Sequence, residues 1–268
     1  METRLLIDGN YLLHKNFHTF KNFKTETLFT GTTYGILRDI YKYSQEFKTK
    51  NIIVTWDSRS FRKDINPEYK SQRNIDTTVL NPYTDIELVR ESLFAFGFTQ
   101  YKTEGVESDD LLYSLSCDKN YNNIILSSDE DLIGCLKSNT SVFLIRQGAL
   151  ITIENFSSIY NFNFTKDKWN TYKALLGDKS DNIKGIPRIR KDFIKRYLCN
   201  ESITEKESNL INENANLIEN NKKIFDLLFI EKIQKLIDNE QFNLDLINNI
   251  LQKTRIKSLN KVIQYFSE

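Results

Sequence analysis

Acidic residues follow four apolar runs in the first half of the chain. Asp8 follows Arg4–Ile7, Asp57 follows Asn51–Trp56, Glu107, Asp109 and Asp110 follow the run beginning at Thr99, and Asp129 and Asp131 follow Asn123–Ser127. If these runs are parallel strands, their carboxyl ends share the edge at which open sheets bind ligands. The acids then converge. Two like unit charges 4 Å apart repel by about 4 kcal/mol at an effective dielectric of 20, so such a cluster calls for cations. Oxygen donors with no His or Cys among them suit Mg²⁺ or Mn²⁺, hard ions that keep several waters and bridge to phosphate. The chemistry this predicts is phosphoryl transfer. Taken singly, Asp109 and Asp129 fit helix caps or first-turn acids equally well. Capping accounts neither for Asp131 nor for a second acid beside Asp109.

The elements that must position these acids alternate between two periods. Arg4–Ile7, Asn51–Trp56, Thr99–Lys102 and Asn123–Ser127 read as strands, and IIVTW and NIILS have the unbroken apolar character of strands buried on both faces. Between the first two, Tyr34, Leu37, Ile40, Tyr41 and Phe47 recur at helical spacing; Leu88, Phe94 and Phe96 mark another helix. Strand, helix, strand in repetition predicts an α/β fold, a mostly parallel central sheet with helices on both faces. Ser141–Ile145 and Leu150–Ile153, around Gln147-Gly148, read as a later hairpin. Beyond Asp181 strand alternation ends, and a loose boundary near residue 180 separates a core of 1–180 from a helical region of 181–268. Within that region Phe225, Leu227, Leu228, Ile230, Ile233 and Ile237 predict one helix, and Asn209–Asn221 fits either a poorly capped helix or a connection.

Composition narrows the class without naming a function. With 268 residues, 40% hydrophobic and 27% charged, the chain can bury a sizeable core and is not compositionally disordered. No apolar run approaches the roughly 18 residues of a membrane span, and Asp8 interrupts the first apolar stretch before it could serve as a secretory segment. A cytoplasmic location is expected. Cys117, Cys135 and Cys199, with two histidines in the chain, indicate neither a zinc site nor a disulfide framework.

The segments LLIDGNYLLHKNF, VTWDSRSFRKD followed by YKSQR, GVESDDLLYSL, LSSDEDLIGCL and LLGDKSDNIKGI occur in one order. In order and spacing they resemble the flap endonuclease and 5′-3′ exonuclease family, which includes phage 5′ exonucleases and the 5′-nuclease domain of bacterial DNA polymerase I. The resemblance covers about residues 4–198. GDKSDNI is its most specific element, and no polymerase fits in 268 residues. It implies a PIN-like nuclease core and two Mg²⁺ ions, for which Mn²⁺ can substitute. Asp8, Asp57, Glu107, Asp109 and Asp110 would serve the first ion, directly or through water; Asp129, Asp131, Asp178 and Asp181 would serve the second. The implied substrates are branched or 5′-flap DNA, with an RNA–DNA hybrid as a further one, and the products carry 5′-phosphate and 3′-hydroxyl ends. Two ions roughly 3.5–4 Å apart would clamp the scissile phosphodiester, one activating water and the other stabilising the leaving oxygen.

Two basic tracts gain meaning from the same resemblance. On composition, Arg59, Arg62, Lys63, Lys70 and Arg73 make a solvated connection. By resemblance YKSQR begins a helical arch, about residues 60–84, in which Lys70 and Arg73 act on the phosphate, Arg62 contacts DNA and Tyr69 stacks on a base. If the segment is helical, Lys70 and Arg73 share a face. The second tract, Lys184 to Arg196, resembles a helix-three-turn-helix (about 181–198) that grips duplex backbone through Lys184, Arg188, Arg190 and Lys191. It departs from the family's glycine-rich turn, for Pro187-Arg188-Ile189-Arg190 follows Gly185. Losing glycine there should prevent close backbone approach to phosphate and puts in question a monovalent-ion site shared by relatives.

Three other functions compete. A PIN-like ribonuclease would share the acidic sheet edge but needs neither arch nor helical tail. A haloacid-dehalogenase-type phosphatase needs an Asp where Asn10 stands. A DNA-binding scaffold would have no reason to carry acids at all nine positions. Exposed apolar groups in the C-terminal helices could dock a replication protein that no motif identifies, and a monomer is the default state.

Overall fold

The computed structural model describes residues 1–72, 80–236 and 241–268. Six strands form one sheet: β1 (Glu2–Asp8), β2 (Ile52–Thr55), β3 (Thr99–Tyr101), β4 (Tyr121–Ser127), β5 (Thr140–Leu144) and β6 (Ala149–Ile151). Their order is β3-β2-β1-β4-β5-β6, parallel throughout except for the β5–β6 hairpin. The chain runs outward from β1 in one direction and from β4 in the other. The switch point therefore lies between them, with Asp8 on one side and Asp129 on the other.

Strand alternation feeds two cores. Leu5, Ile7, Ile52, Val54 and Leu126 face one side, packed by α1 (Gly9–Thr19), α2 (Gly31–Glu46) and α4 (Ile86–Ala95). Leu6, Ile53 and Ile125 face the other, packed by α5 (Ser108–Ser116), a 3₁₀ turn (Glu130–Cys135), α6 (Ile153–Tyr160) and α7 (Lys166–Leu176). Each such fully buried Leu or Ile contributes about 1.5–3 kcal/mol. A short helix, α3 (Arg62–Ile65), lies between β2 and α4.

The helices beyond residue 180 do not gather into one unit. A two-strand hairpin, β7 (Gly177–Asp178) with β8 (Ile183–Lys184), leads into α8 (Lys191–Leu198), which packs on α7. The Asn-rich stretch is two helices, α9 (Glu205–Glu213) and α10 (Ala215–Phe225), the first held by a capping box between Thr204 and Glu207. Ile247 and Ile250 of α11 (Leu244–Thr254), Val262 of α12 (Asn260–Ser267) and Leu259 just before it instead join the core on the α2/α4 face.

The helix expected over 225–237 is absent through Leu236, Ile237 lying outside the described residues. After Phe225 the chain becomes an extended strap. Lys102 N donates to Gln234 O (3.1 Å), Leu236 N donates to Gln100 O (2.8 Å), and Tyr101 bridges antiparallel to Lys235. The strap thereby covers the open edge of β3.

Candidate active site

Each acid owes its position to a strand end. Asp8 ends β1 and caps α1: Tyr11 N donates to Oδ1 and Ser127 Oγ to Oδ2, both at 2.9 Å. Asp57 follows β2; its backbone N–H donates to Asn10 Oδ1 (3.0 Å), and its Oδ1 accepts from Ser108 N (2.8 Å). Ser108 is buried and shares a 2.6 Å hydrogen bond with Thr55, so this residue inside the acidic motif orients Asp57. Asp109 sits in the first turn of α5, and Asp129 caps the 3₁₀ turn by accepting from Asp131 N at 2.9 Å. The capping reading of Asp129 thus holds, while its second oxygen is not used by the cap.

Electrostatics show that these groups face one another. Burial and then Asp57 push the Asp8 carboxyl up to about 7, against the hydrogen bonds from Tyr11 and Ser127. Burial, with repulsion from Asp129, Asp8 and Asp57, raises Asp109 well above the usual carboxylate range. Asp131 rises to about 7 through burial and Asp129, despite Lys173. Glu107 and Asp178 move the other way. Burial would raise both, but Lys70 and Arg62 outweigh it at Glu107, as do Ser180 and Lys173 at Asp178.

Two lysines partly neutralise the cluster. Lys173 Nζ lies 2.7 Å from Asp131 Oδ1 and 3.1 Å from Asp178 Oδ2, tying the sheet edge to the β7–β8 hairpin. Lys70 Nζ lies 2.6 Å from Glu107 Oε1 and 3.9 Å from Asp181 Oδ2. Among the described residues no three His, Cys, Asp or Glu side chains surround one point closely enough to hold an ion as they stand. The chemistry of the donor set nevertheless fits a hard divalent cation: the donors are carboxylates, their charge is incompletely offset, and buried Asp131 Oδ1 is off the hydrogen-bonding direction of Lys173.

A pH dependence follows. Asp8 and Asp131 hold protons more tightly in the folded protein than in the unfolded chain, so their contribution favours folding below about pH 4 and is lost as pH rises toward 7. A cation binds only the ionised forms. The gain in Tm on adding Mg²⁺ to DNA-free protein is therefore expected to be small near pH 5 and several degrees near pH 8. Differential scanning fluorimetry at both values checks this, and equal gains would mean that protons and cation do not compete.

Three expectations for the basic segment change. Arg62 is 2% exposed and reaches inward to Glu107 and Asp110 rather than outward to the surface where the resemblance puts DNA. Tyr69 is also buried, its ring packed with Ala174, Ile183, Ile224 and Phe225 and its hydroxyl 3.3 Å from both Glu107 oxygens; it has no face for a base. Helical continuity from Lys70 fails because α3 ends at Ile65 and Lys70 has φ 53°. Arg73 lies outside the described residues. Asp110 is engaged differently: its carboxylate meets Arg62, whose Nη1 it shares with Glu107, and accepts from Leu228 N.

The second tract is open to solvent. Lys184 at the end of β8, Arg188 and Arg190 in the turn, and Lys191 at the start of α8 are all exposed. Arg188 has φ 60°, a left-handed conformation in which glycine would be less strained. Holding a non-glycine residue there costs on the order of 1–3 kcal/mol. Gly177 and Gly185 do cross at close range, where a Cβ on Gly185 would lie 2.1 Å from Leu176 O.

Residues 3–169 match the family model for the 5′-3′ exonuclease N-terminal resolvase-like domain. A 5′-3′ exonuclease of Mycoplasmopsis pulmonis is 33% identical over 249 residues, covering 88% of this chain and 80% of that one. The chain belongs to the 5′-3′ exonuclease family. Among solved structures, phage T5 5′-exonuclease with divalent zinc bound superposes with a TM-score of 0.64 at 17% identity, covering 99% of this chain and 97% of the other. A T5 flap endonuclease in a pseudo-enzyme-product complex with DNA and metal ions gives 0.63 at 16%, covering 99% and 98%. At those identities the likeness shows a shared fold, with the mostly parallel central sheet flanked by helices that the strand pattern predicts.

Family membership directs attention to site residues that the sequence reading passed over. Lys173 stands within the apolar run of α7, and a charge on a buried helical face was the available signal. Asn10 holds Asp57 through the backbone and donates to the Tyr83 hydroxyl at 3.2 Å.

Proposed function

We propose that this 5′-3′ exonuclease hydrolyses phosphodiesters near the 5′ end of flap, branched or nicked DNA with divalent cations, Mg²⁺ foremost. The carrying observation is the convergence of strand-end acids at the switch point, their charge incompletely offset, among the described residues, by Lys70, Lys173 and Arg62, in a chain of this family. Asp8, Asp57, Glu107 and Asp109 would hold one ion, and Asp129, Asp131, Asp178 and Asp181 a second. Bound there, such ions supply hydroxide near neutral pH and charge for the leaving 3′ oxygen.

The chain's own groups do the rest. Ser108 and Asn10 fix Asp57, and Ser127 fixes Asp8. Lys70 brings a cation beside Glu107, where a phosphate oxygen gains charge on the way to the transition state. Lys184, Arg188, Arg190 and Lys191 grip duplex backbone away from the cut. Products would carry 5′-phosphate and 3′-hydroxyl ends, and an RNA strand paired to DNA is a second substrate to test. Among the described residues no helix is long and apolar enough to cross a membrane.

Cleavage of an end-labelled 5′-flap duplex with Mg²⁺ and with EDTA, beside single-stranded RNA, tests the proposal. Mg²⁺-dependent cuts near the junction are expected; RNA-only cleavage would favour a ribonuclease, and binding without cutting a scaffold. Replacing Arg188 and Arg190 together by Ala is expected to shrink the salt slope of duplex binding by about 1.8, at roughly 0.9 per phosphate contact. An unchanged slope in fluorescence anisotropy would remove these arginines from the interface.

A further inference from the structure

The Arg62 guanidinium has five N–H donors, and all five are used inside the protein. Nε donates to Ile224 O at 2.7 Å; Nη1 donates to Glu107 Oε2 and Asp110 Oδ2, both at 2.7 Å; Nη2 donates to Asp110 Oδ1 and Asp226 O, both at 2.9 Å. Asp110 is equally committed. Its Oδ1 also accepts from Leu228 N at 2.8 Å, and the residue is wholly buried. One guanidinium thus joins three remote segments: the arch base at α3, the acidic start of α5, and the turn where α10 becomes the strap. Serine 114 of α5 extends the seam by accepting from Ile230 N at 2.8 Å.

We propose that Arg62 is a positioning residue that sets the Glu107 carboxylate and the head of the strap, and that Asp110 is its counter-ion rather than a metal ligand. Both Asp110 oxygens point into the clamp. Turning one toward a cation would break the bidentate pair and leave a buried guanidinium N–H and the Leu228 amide unpaired, which is costly. Glu107 is differently placed. Arg62 holds only its Oε2, while Oε1 meets the single ammonium of Lys70, a point charge whose place on that oxygen an incoming ion can take without breaking a bidentate pair. The two acids of one motif have thus divided the work: Asp109 faces the other acids, Asp110 faces the scaffold.

The assignment of Asp110 rests on the metal-dependent function proposed above, whereas the clamp itself does not, and two measurements separate them. The first is Mn²⁺ titration of DNA-free protein by calorimetry; the second is amide hydrogen exchange at Leu228 without metal. Asp110→Asn is expected to keep the parent's number of Mn²⁺ equivalents, with affinity within about threefold, and to lose about tenfold or more of Leu228 protection. Asp109→Asn should show the converse, weakened or lost Mn²⁺ binding with Leu228 still protected. Loss of a Mn²⁺ equivalent in Asp110→Asn, or full Leu228 protection in it, would overturn the proposal. If that variant does not fold, the Arg62→Met, Asp110→Leu pair replaces the buried ions by apolar groups, and its Mn²⁺ count decides. A parent protein that binds no Mn²⁺ would refute the metal-dependent function and with it the ligand comparison, while Leu228 exchange would still decide the clamp. Arg62→Lys adds a readout that simple destabilisation would not give: kcat should fall with the Kd for flap DNA unchanged, and a raised Kd with intact kcat would return Arg62 to the DNA interface.

Discussion

Asp109→Asn should cut kcat/KM on a 5′-flap duplex by about a thousandfold or more, about 4 kcal/mol of barrier, while raising the Tm of the metal-free protein near pH 8. The two effects share one cause. Asp109 lies among Asp129, Asp8 and Asp57, and burial together with their repulsion disfavours its ionised form. A neutral side chain of the same shape removes that repulsion but gives a cation a weaker oxygen donor. Folding gains what metal binding loses. The stabilisation should shrink near pH 4, where the parent carboxyl is protonated as well, so the difference in Tm must narrow as the solution is acidified. Single-turnover cleavage and thermal unfolding on the same preparation test both halves. Unimpaired cleavage would exclude Asp109 from the metal site, and a lowered Tm would mean that its charge is compensated by groups other than those described.

The strand-end acids were legible because two simple periodicities fix them. Alternation of Leu5, Leu6 and Ile7 between the two cores requires β1 to be covered on both faces, and a parallel neighbour then places Asp8 and Asp57 on one edge. What each acid does next depends on groups remote in sequence. Asp109 and Asp110 are adjacent on α5 and therefore point in different directions, one to the acids and one to Arg62. No local pattern tells a buried arginine from a solvated one: composition over 59–73 gave a solvated connection, and the family resemblance then put Arg62 at DNA.

The strap misled for a related reason. Leu227 belongs to the core on the α7 face and Leu236 packs against the core on the α2 face, because the segment crosses the open edge of the sheet between them. Apolar residues serving two faces in turn over a short extended run mimic a helical period. The same blindness applies to α11 and α12, whose apolar faces predict burial but not that Ile247 and Val262 pack on the first half of the chain.

Lys70→Ala should slow single-turnover cleavage at saturating flap DNA by about a hundredfold, about 2.7 kcal/mol, with the Kd raised by less than about threefold. The site fixes this lysine unusually well. Its backbone is in the left-handed region, its N–H donates to Asp181 O at 3.0 Å, and Asn182 Nδ2 grips the flanking Glu68 O at 3.1 Å and Ser71 Oγ at 3.2 Å. The segment 68–71 is therefore pinned to the hairpin that presents Asp178 and Asp181, so the ammonium is held beside the acids that surround it. Burial lowers its pKa, but Tyr69, Glu107, Asp109 and Asp181 outweigh that and hold it well above the ordinary lysine value, so it stays charged near neutral pH. A fixed charge among acids contributes little to gathering DNA from solution, which exposed Lys184 and Arg190 can do. It contributes most where negative charge grows on a phosphate oxygen within its reach. Removing it should accordingly appear in the rate at saturation; a rate left intact with binding alone weakened would transfer Lys70 from transition-state stabilisation to substrate capture.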